Sequence, residues 1–146
     1  DEALEARHGR SVRAVFAAEG EAGFRDKEAA VLAELCRLRR HVVATGGGAV
    51  LRPDNRELLR RSGWVVWLTA DVDTLWGRTQ ADGGTAERRP ALGVGGRDEV
   101  VEVLRAREAL YRGCADLTVE TAGRTAEAVA EEILAAWARR GAGPAE

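Results

Sequence analysis

Three consecutive glycines, Gly46-Gly47-Gly48, follow directly on a β-branched run, His41-Val42-Val43-Ala44-Thr45. Each glycine costs chain entropy, and a turn that needs one positive φ does not favour all three. They let backbone approach a ligand closely at the C-terminal end of a strand, where α/β sheets bind ligands. A plain tight turn is the alternative. Upstream, Phe24-Arg25-Asp26-Lys27-Glu28 sets Arg25 and Glu28 three apart, on one helix face. This is either a surface ion pair, which stabilises little, or a guanidinium clamp for a carboxylate with Glu28 holding the clamp in place. Arg88-Arg89-Pro90 lies in a glycine-rich stretch. Its arginines are either solvated, or carried by a loop that closes over a substrate and brings positive charge to a phosphoryl group. Arg107-Glu108-Ala109-Leu110-Tyr111 puts an arginine near a tyrosine on a helix, and by itself says little.

These groups need a scaffold. The stretch 1–18 reads as helical, broken near Gly9, with Ser11 as N-cap of the second piece. Residues 21–39 read as a helix, with Val31, Leu35 and Leu38 at helical spacing. The run 41–45 reads as a buried strand ending in the glycine loop. A short helix is expected over 54–61. Trp64-Val65-Val66-Trp67-Leu68 is apolar on both faces and reads as a central parallel strand. A helix over 71–79, capped by Asp71 or Thr69, leads into the excursion at 80–97. Asp98 caps a long helix to about Arg112, a third strand covers 117–120, and an amphipathic helix covers 125–139. Strands alternating with helices predict an α/β domain with a parallel sheet. Three strands make a thin sheet, since four to six are usual.

With 146 residues, 45% hydrophobic and 32% charged, the chain suits one globular domain. A net charge of -2 offers no electrostatic reason to expect nucleic acid or an anionic membrane as partner. All basic residues but Lys27 are arginine, which reads as compositional bias unless individual arginines sit at phosphate or carboxylate sites. Cys36 and Cys114 lack metal-ligand spacing and read as small buried thiols. No apolar run is long enough for a membrane span and no secretory signal is visible, so cytoplasm is the expectation.

Taken in order, the patterns resemble the shikimate kinases, a P-loop family related to the nucleoside-monophosphate kinases. Asp1-Glu2, Gly9-Arg10-Ser11 and Val15-Phe16 match the family's Asp-led segment. Residues 21–28 match its Glu-x-x-Phe-Arg-x-x-Glu block, 46–49 its Gly-Gly-Gly-Ala, 89–92 its lid Arg-Pro-x-Leu, and 107–111 its Arg-x-x-Leu-Tyr. The resemblance runs from Asp1 to about Trp137. It implies a three-layer αβα kinase domain over 1–140, with a lid at about 80–97 and a disordered tail at 141–146. It also implies ATP-dependent phosphorylation of the 3-hydroxyl of shikimate, with ATP and Mg²⁺, in a cytoplasmic monomer of aromatic amino acid biosynthesis.

Residue by residue, the resemblance makes Asp1 the group that orients or deprotonates the attacking hydroxyl. Arg25 and Arg107 pair with the shikimate carboxylate, and Glu28 buttresses Arg25. Gly47, flanked by Gly46 and Gly48, offers backbone to the ring, with Phe16 and Phe24 walling the pocket. Arg89 reaches the transferring phosphoryl group, while Arg78 and Arg124 lie near the nucleotide, Arg124 beside the adenine. The stretch 81–87 is longer than the family's usual lid, Ala91 stands where leucine is common, and Ala126 stands where proline is frequent.

The family begins with a strand, a Gly-x-x-Gly-x-Gly-Lys-Ser/Thr loop, a helix and a second strand. No Gly-Lys-Ser or Gly-Lys-Thr occurs in this sequence, which has no Met and starts at Asp1. The expectation is an N-terminally truncated chain that by itself does not turn over ATP. The absent first strand would fall between the strands at 41–45 and 64–68 and leave two unpaired edges. The alternative is a degenerate, non-catalytic relative that binds a small carboxylate or a protein partner. A gluconate- or adenylate-type kinase shares the lid but leaves the Phe-Arg-x-x-Glu block unexplained.

Overall fold

The computed structural model describes residues 1–81 and 96–141. Most of the predicted lid, residues 82–95 with Arg88, Arg89, Pro90, Ala91 and Leu92, therefore lies outside the described residues, as does the tail beyond Gly141, whereas its expected ends at 80–81 and 96–97 belong to helices.

The chain opens with α1 (Glu2–His8), which stops at Gly9 in the left-handed conformation (φ 63°). A glycine there ends a helix without a Cβ penalty. Ser11 then caps α2 (Val12–Leu35), its hydroxyl accepting from the Ala14 N–H at 3.1 Å. Gly20, at φ 66°, kinks α2, so two helical segments meet where the sequence suggested separate pieces. The second segment stops at Leu35 rather than at Arg39. Leu4, Val12, Val15, Phe24 and Val31 form one buried cluster, with Phe16 and Leu35 packed against it. Burying each such side chain contributes on the order of 1.5–3 kcal/mol before entropy is counted.

A single 3₁₀ turn, Ala49–Leu51, follows the glycines and leads through Arg52 into α3 (Pro53–Ser62). Then come β1 (Val66–Thr69), α4 (Val72–Ala81), α5 (Gly96–Cys114), β2 (Leu117–Glu120) and α6 (Ala126–Arg139). Asp71 caps α4, accepting from the Thr74 N–H at 2.8 Å, and Thr125 caps α6, accepting from the Ala128 N–H at 3.2 Å. β1 and β2 pair in parallel, with Val66 opposite Leu117 and Thr69 opposite Glu120. A parallel pair needs a crossover, and α4 and α5 supply it. Cys114 is buried and Cys36 half-buried; both are free thiols.

One expectation fails. Residues 41–45 form no strand, and among the described residues the sheet has only β1 and β2. Val42 is fully exposed, at 101%. Its β-branched neighbours carry strand propensity, but a strand exists only when its N–H and C=O groups find a ladder partner. β1 is likewise paired on one side only, and Leu68 is 53% exposed. The apolar character of 64–68 correctly predicted a parallel strand, but its expected central position is not met among the described residues.

Candidate active site

Three of the four local patterns that were separate in sequence meet around the glycine loop. Arg25 lies on the second segment of α2 and is largely shielded, at 15% side-chain exposure. Its Nη1 donates to Glu28 Oε2 at 2.8 Å, and Glu28 is equally shielded at 14%. The guanidinium also stands 5.2 Å from the Phe24 ring centroid, within cation–π range. Nη2 reaches Glu21 only at 3.4 Å, and Nε is buried without a partner among the described residues. Arg25 is thus held from one side while much of its donor fork stays uncommitted. The Arg25–Glu28 pair is thus not an exposed surface ion pair.

Gly47 and Gly48, more than Gly46, leave room that a side chain would fill. None of them has positive φ. A Cβ on Gly48 would fall 2.3 Å from Arg25 Nη1 and 2.6 Å from its Cζ. A Cβ on Gly47 would fall 2.9 Å from the Tyr111 hydroxyl and 3.9 Å from Arg107 Nη1, and one on Gly46 would fall 3.4 Å from Glu28 Oε1. The close approach inferred from the sequence is therefore real, but the groups that come close are the protein's own. Arg25 and Glu28 from α2 and Arg107 and Tyr111 from α5 converge on one loop. Tyr111 donates from its hydroxyl to the Gly47 carbonyl at 2.7 Å.

The loop is fixed from behind by groups the sequence did not flag. Asn55 is buried and donates to the Ala49 carbonyl at 3.0 Å. Arg56 donates to the Val50 carbonyl at 2.6 Å, and Arg52 to the Arg25 carbonyl at 3.0 Å. Arg52 also pairs with Asp26 at 2.8 Å. A 3₁₀ turn leaves carbonyls unsatisfied, and Asn55 and Arg56 answer them, while Arg52 ties the turn to α2. The turn at 49–51 has no sequence signature of its own, so its partners could not be read in advance. Tyr111 was legible only as the residue one helical turn beyond Arg107.

Phe24, whose ring faces the Arg25 guanidinium, is 5% exposed and belongs to the buried cluster, with Phe16 packed on it at 4.5 Å between centroids and tilted by 30°. Both rings therefore pack the core beneath Arg25. Asp1 is exposed at the N-terminus of α1 and makes no side-chain cap bond. Arg78 donates to the Thr121 hydroxyl and carbonyl, both at 2.8 Å, and Thr121 in turn donates to the Thr69 carbonyl. Arg124 donates to the carbonyls of Glu120 and Ala128 at 3.0 Å and to Glu132 at 2.5 Å. Both arginines thus stand at the C-terminal ends of the strands, already engaged with protein acceptors. There too, Glu120 accepts from the N–H groups of Thr121 and Ala122 and from the Thr69 hydroxyl. The Ala122 N–H above all, with the other two donors, holds its carboxyl below the usual glutamate range.

Among the described residues no group of three or more His, Cys, Asp or Glu side chains is set to hold a metal ion. No described helix is long and apolar enough to cross a membrane. What the loop cluster can do is bind an anion: two guanidinium groups and bare backbone face one small region, while one carboxylate steadies the nearer guanidinium.

Comparison with known proteins gives that region a context. The family model described as shikimate kinase matches residues 1–138. A shikimate kinase of Rhodopirellula baltica is 44% identical over 137 residues, covering 93% of this chain and 73% of its own. One from Chromohalobacter salexigens is 47% identical over 135 residues, covering 92% and 73%. Among solved structures, shikimate kinase from Acinetobacter baumannii in complex with shikimate superposes with a TM-score of 0.90 at 35% identity, over 98% of this chain and 78% of its own. Shikimate kinase from Aquifex aeolicus gives 0.79 at 27% identity, over 98% and 81%.

Proposed function

The chain belongs to the shikimate kinase family, and from that premise we propose that its glycine-loop cluster binds shikimate for phosphorylation of the 3-hydroxyl by ATP. The observation that carries the proposal is the convergence of Arg25, Glu28 and Arg107 on Gly46-Gly47-Gly48. Shikimate is a small ring with one carboxylate and several hydroxyls. Guanidinium groups read the carboxylate by paired N–H donors, and bare glycine backbone admits the ring without a Cβ in the way. Arg25 takes one side of the carboxylate and Arg107 the other. Glu28 keeps Arg25 in place and spares it the entropy of being ordered by the ligand.

In this reading Asp1 orients the 3-hydroxyl and accepts its proton, and Arg89 neutralises charge on the transferring phosphoryl group. Phosphoryl transfer asks the protein for alignment and charge stabilisation rather than covalent chemistry, which suits fixed arginines and one carboxylate. Bound ATP supplies the phosphoryl group and the leaving group. The described residues offer it little: Arg78 and Arg124 are spent on protein carbonyls, hydroxyl and carboxylate, and no Gly-Lys-Ser/Thr stretch occurs in the sequence. A Mg²⁺ ion, usual for the family, would be held largely by the nucleotide phosphates and water, since the described residues form no cluster of three or more ligand side chains.

The test is calorimetric titration of the chain with shikimate. Arg25→Ala is expected to weaken binding roughly 100-fold, since it removes charge-assisted hydrogen bonds from a shielded site. Undiminished affinity in that variant would refute the assignment of the carboxylate.

A further inference from the structure

We infer that Tyr111 is a positioning residue for the glycine loop: its hydroxyl sets the Gly47–Gly48 peptide plane so that the loop is ready for a hydroxylated ring before the ring arrives. The inference rests on the shikimate reading above for the identity of the ligand, and on independent geometry for the device. The Tyr111 hydroxyl donates to the Gly47 carbonyl at 2.7 Å across 64 residues of chain. The described peptide bonds are all trans. In a planar trans peptide the C=O and the following N–H point in opposite directions. Anchoring the Gly47 carbonyl on Tyr111 therefore turns the Gly48 N–H away from Tyr111.

Glycines need such an anchor more than other residues, because the unrestrained peptide plane can rotate widely. The ring of Tyr111 is itself held. It stacks on Trp67 of β1 at 5.6 Å between centroids and 26° between planes. Arg107 stands one helical turn earlier on α5, and its Nη1 lies 3.9 Å from the place a Gly47 Cβ would take. One face of α5 thus delivers both a guanidinium for the carboxylate and a hydroxyl that sets the backbone. Tyr111 acts on the ligand only through Gly47. Its loss is expected to affect the part of the ligand that backbone reads, and to spare the carboxylate.

Tyr111→Phe keeps the ring stack and removes only the hydroxyl. Two measurements on the full chain follow it. In amide hydrogen exchange without ligand, the Ala49 and Leu51 N–H groups, which donate to the Gly46 and Gly48 carbonyls, should exchange about fivefold faster, the size of one ordinary hydrogen bond, while the α1–α2 core amides keep their rates. In titration, shikimate affinity should fall about fivefold, while 1-cyclohexene-1-carboxylate, which carries the carboxylate and no hydroxyls, should bind as to the parent chain. Unchanged exchange at Ala49 and Leu51 overturns the inference whatever the ligands do. Equal losses for both carboxylates overturn it as well, since Tyr111 would then serve the arginines or the fold. Parent protein that binds neither carboxylate overturns the shikimate reading, and with it the ligand named here. Parent binding that Tyr111→Phe leaves at full strength overturns the role of Tyr111 alone.

Discussion

At the scale of single residues, the account turns on groups that have little meaning alone. Arg25 and Glu28 read as an ordinary helical pair until both prove shielded and Gly48 proves bare beneath the guanidinium. Gly48→Ala makes the sharper test of that packing than any arginine substitution. The added methyl would meet Arg25 at 2.3 Å, and the flexible end of Arg25 would give way. Stability should change by less than about 1 kcal/mol, because the displaced group is a side-chain tip at the site's edge. Shikimate affinity should fall about tenfold or more as the guanidinium leaves its place. Thermal unfolding and titration of the same sample check both halves. The sequence pointed to Arg25, Glu28, Arg107 and the glycines through the order of the blocks that carry the family resemblance. It could not announce Asn55 or Arg56, whose carbonyl partners exist only once the 3₁₀ turn has formed.

At the scale of elements, local chemistry was legible at most caps and glycines. Ser11 and Asp71 cap the helices expected of them and Gly9 ends the first, whereas Asp98, expected as a cap, lies inside the first turn of α5, which already begins at Gly96. The run 41–45 was misread for a physical reason: propensity is local, whereas a strand is a relation between two segments. The strand ends β1 and β2 carry a further prediction. Glu120 and Asp71 both have carboxyls held below their ordinary ranges. The Ala122 N–H is foremost for Glu120, and the Thr74 N–H followed by the Thr74 hydroxyl for Asp71. A depressed folded value means that the unfolded chain takes up protons first. The stabilisation is full above the ordinary carboxylate range near about pH 4–4.5 and is lost as pH falls through the lower folded values. Melting temperature should therefore decline from about pH 5 downward, and Glu120→Gln should flatten the decline. An identical slope in the variant would show that Glu120 does not contribute it.

At the scale of the whole molecule, the α/β class and the family followed from the order of five short blocks, each weak by itself. The order survives in three dimensions as convergence. Residues 25, 28, 46–48, 107 and 111, spread over more than half the chain, reach one loop through two helices. The distribution of uncommitted donors was not legible. Arg78 and Arg124, which the family resemblance puts near the nucleotide, are each bound to protein acceptors at the strand ends. Sequence cannot separate an arginine that braces a sheet from one that awaits an anion, because the difference lies in what surrounds the guanidinium. The central claim, that Arg25 and Arg107 together receive the shikimate carboxylate over the glycine loop, is tested most directly by a crystal structure of the chain with shikimate. The account predicts carboxylate oxygens within about 3 Å of both guanidinium groups, with the ring against Gly46-Gly47-Gly48. Shikimate seated away from that loop, or its carboxylate turned from both arginines, would contradict it.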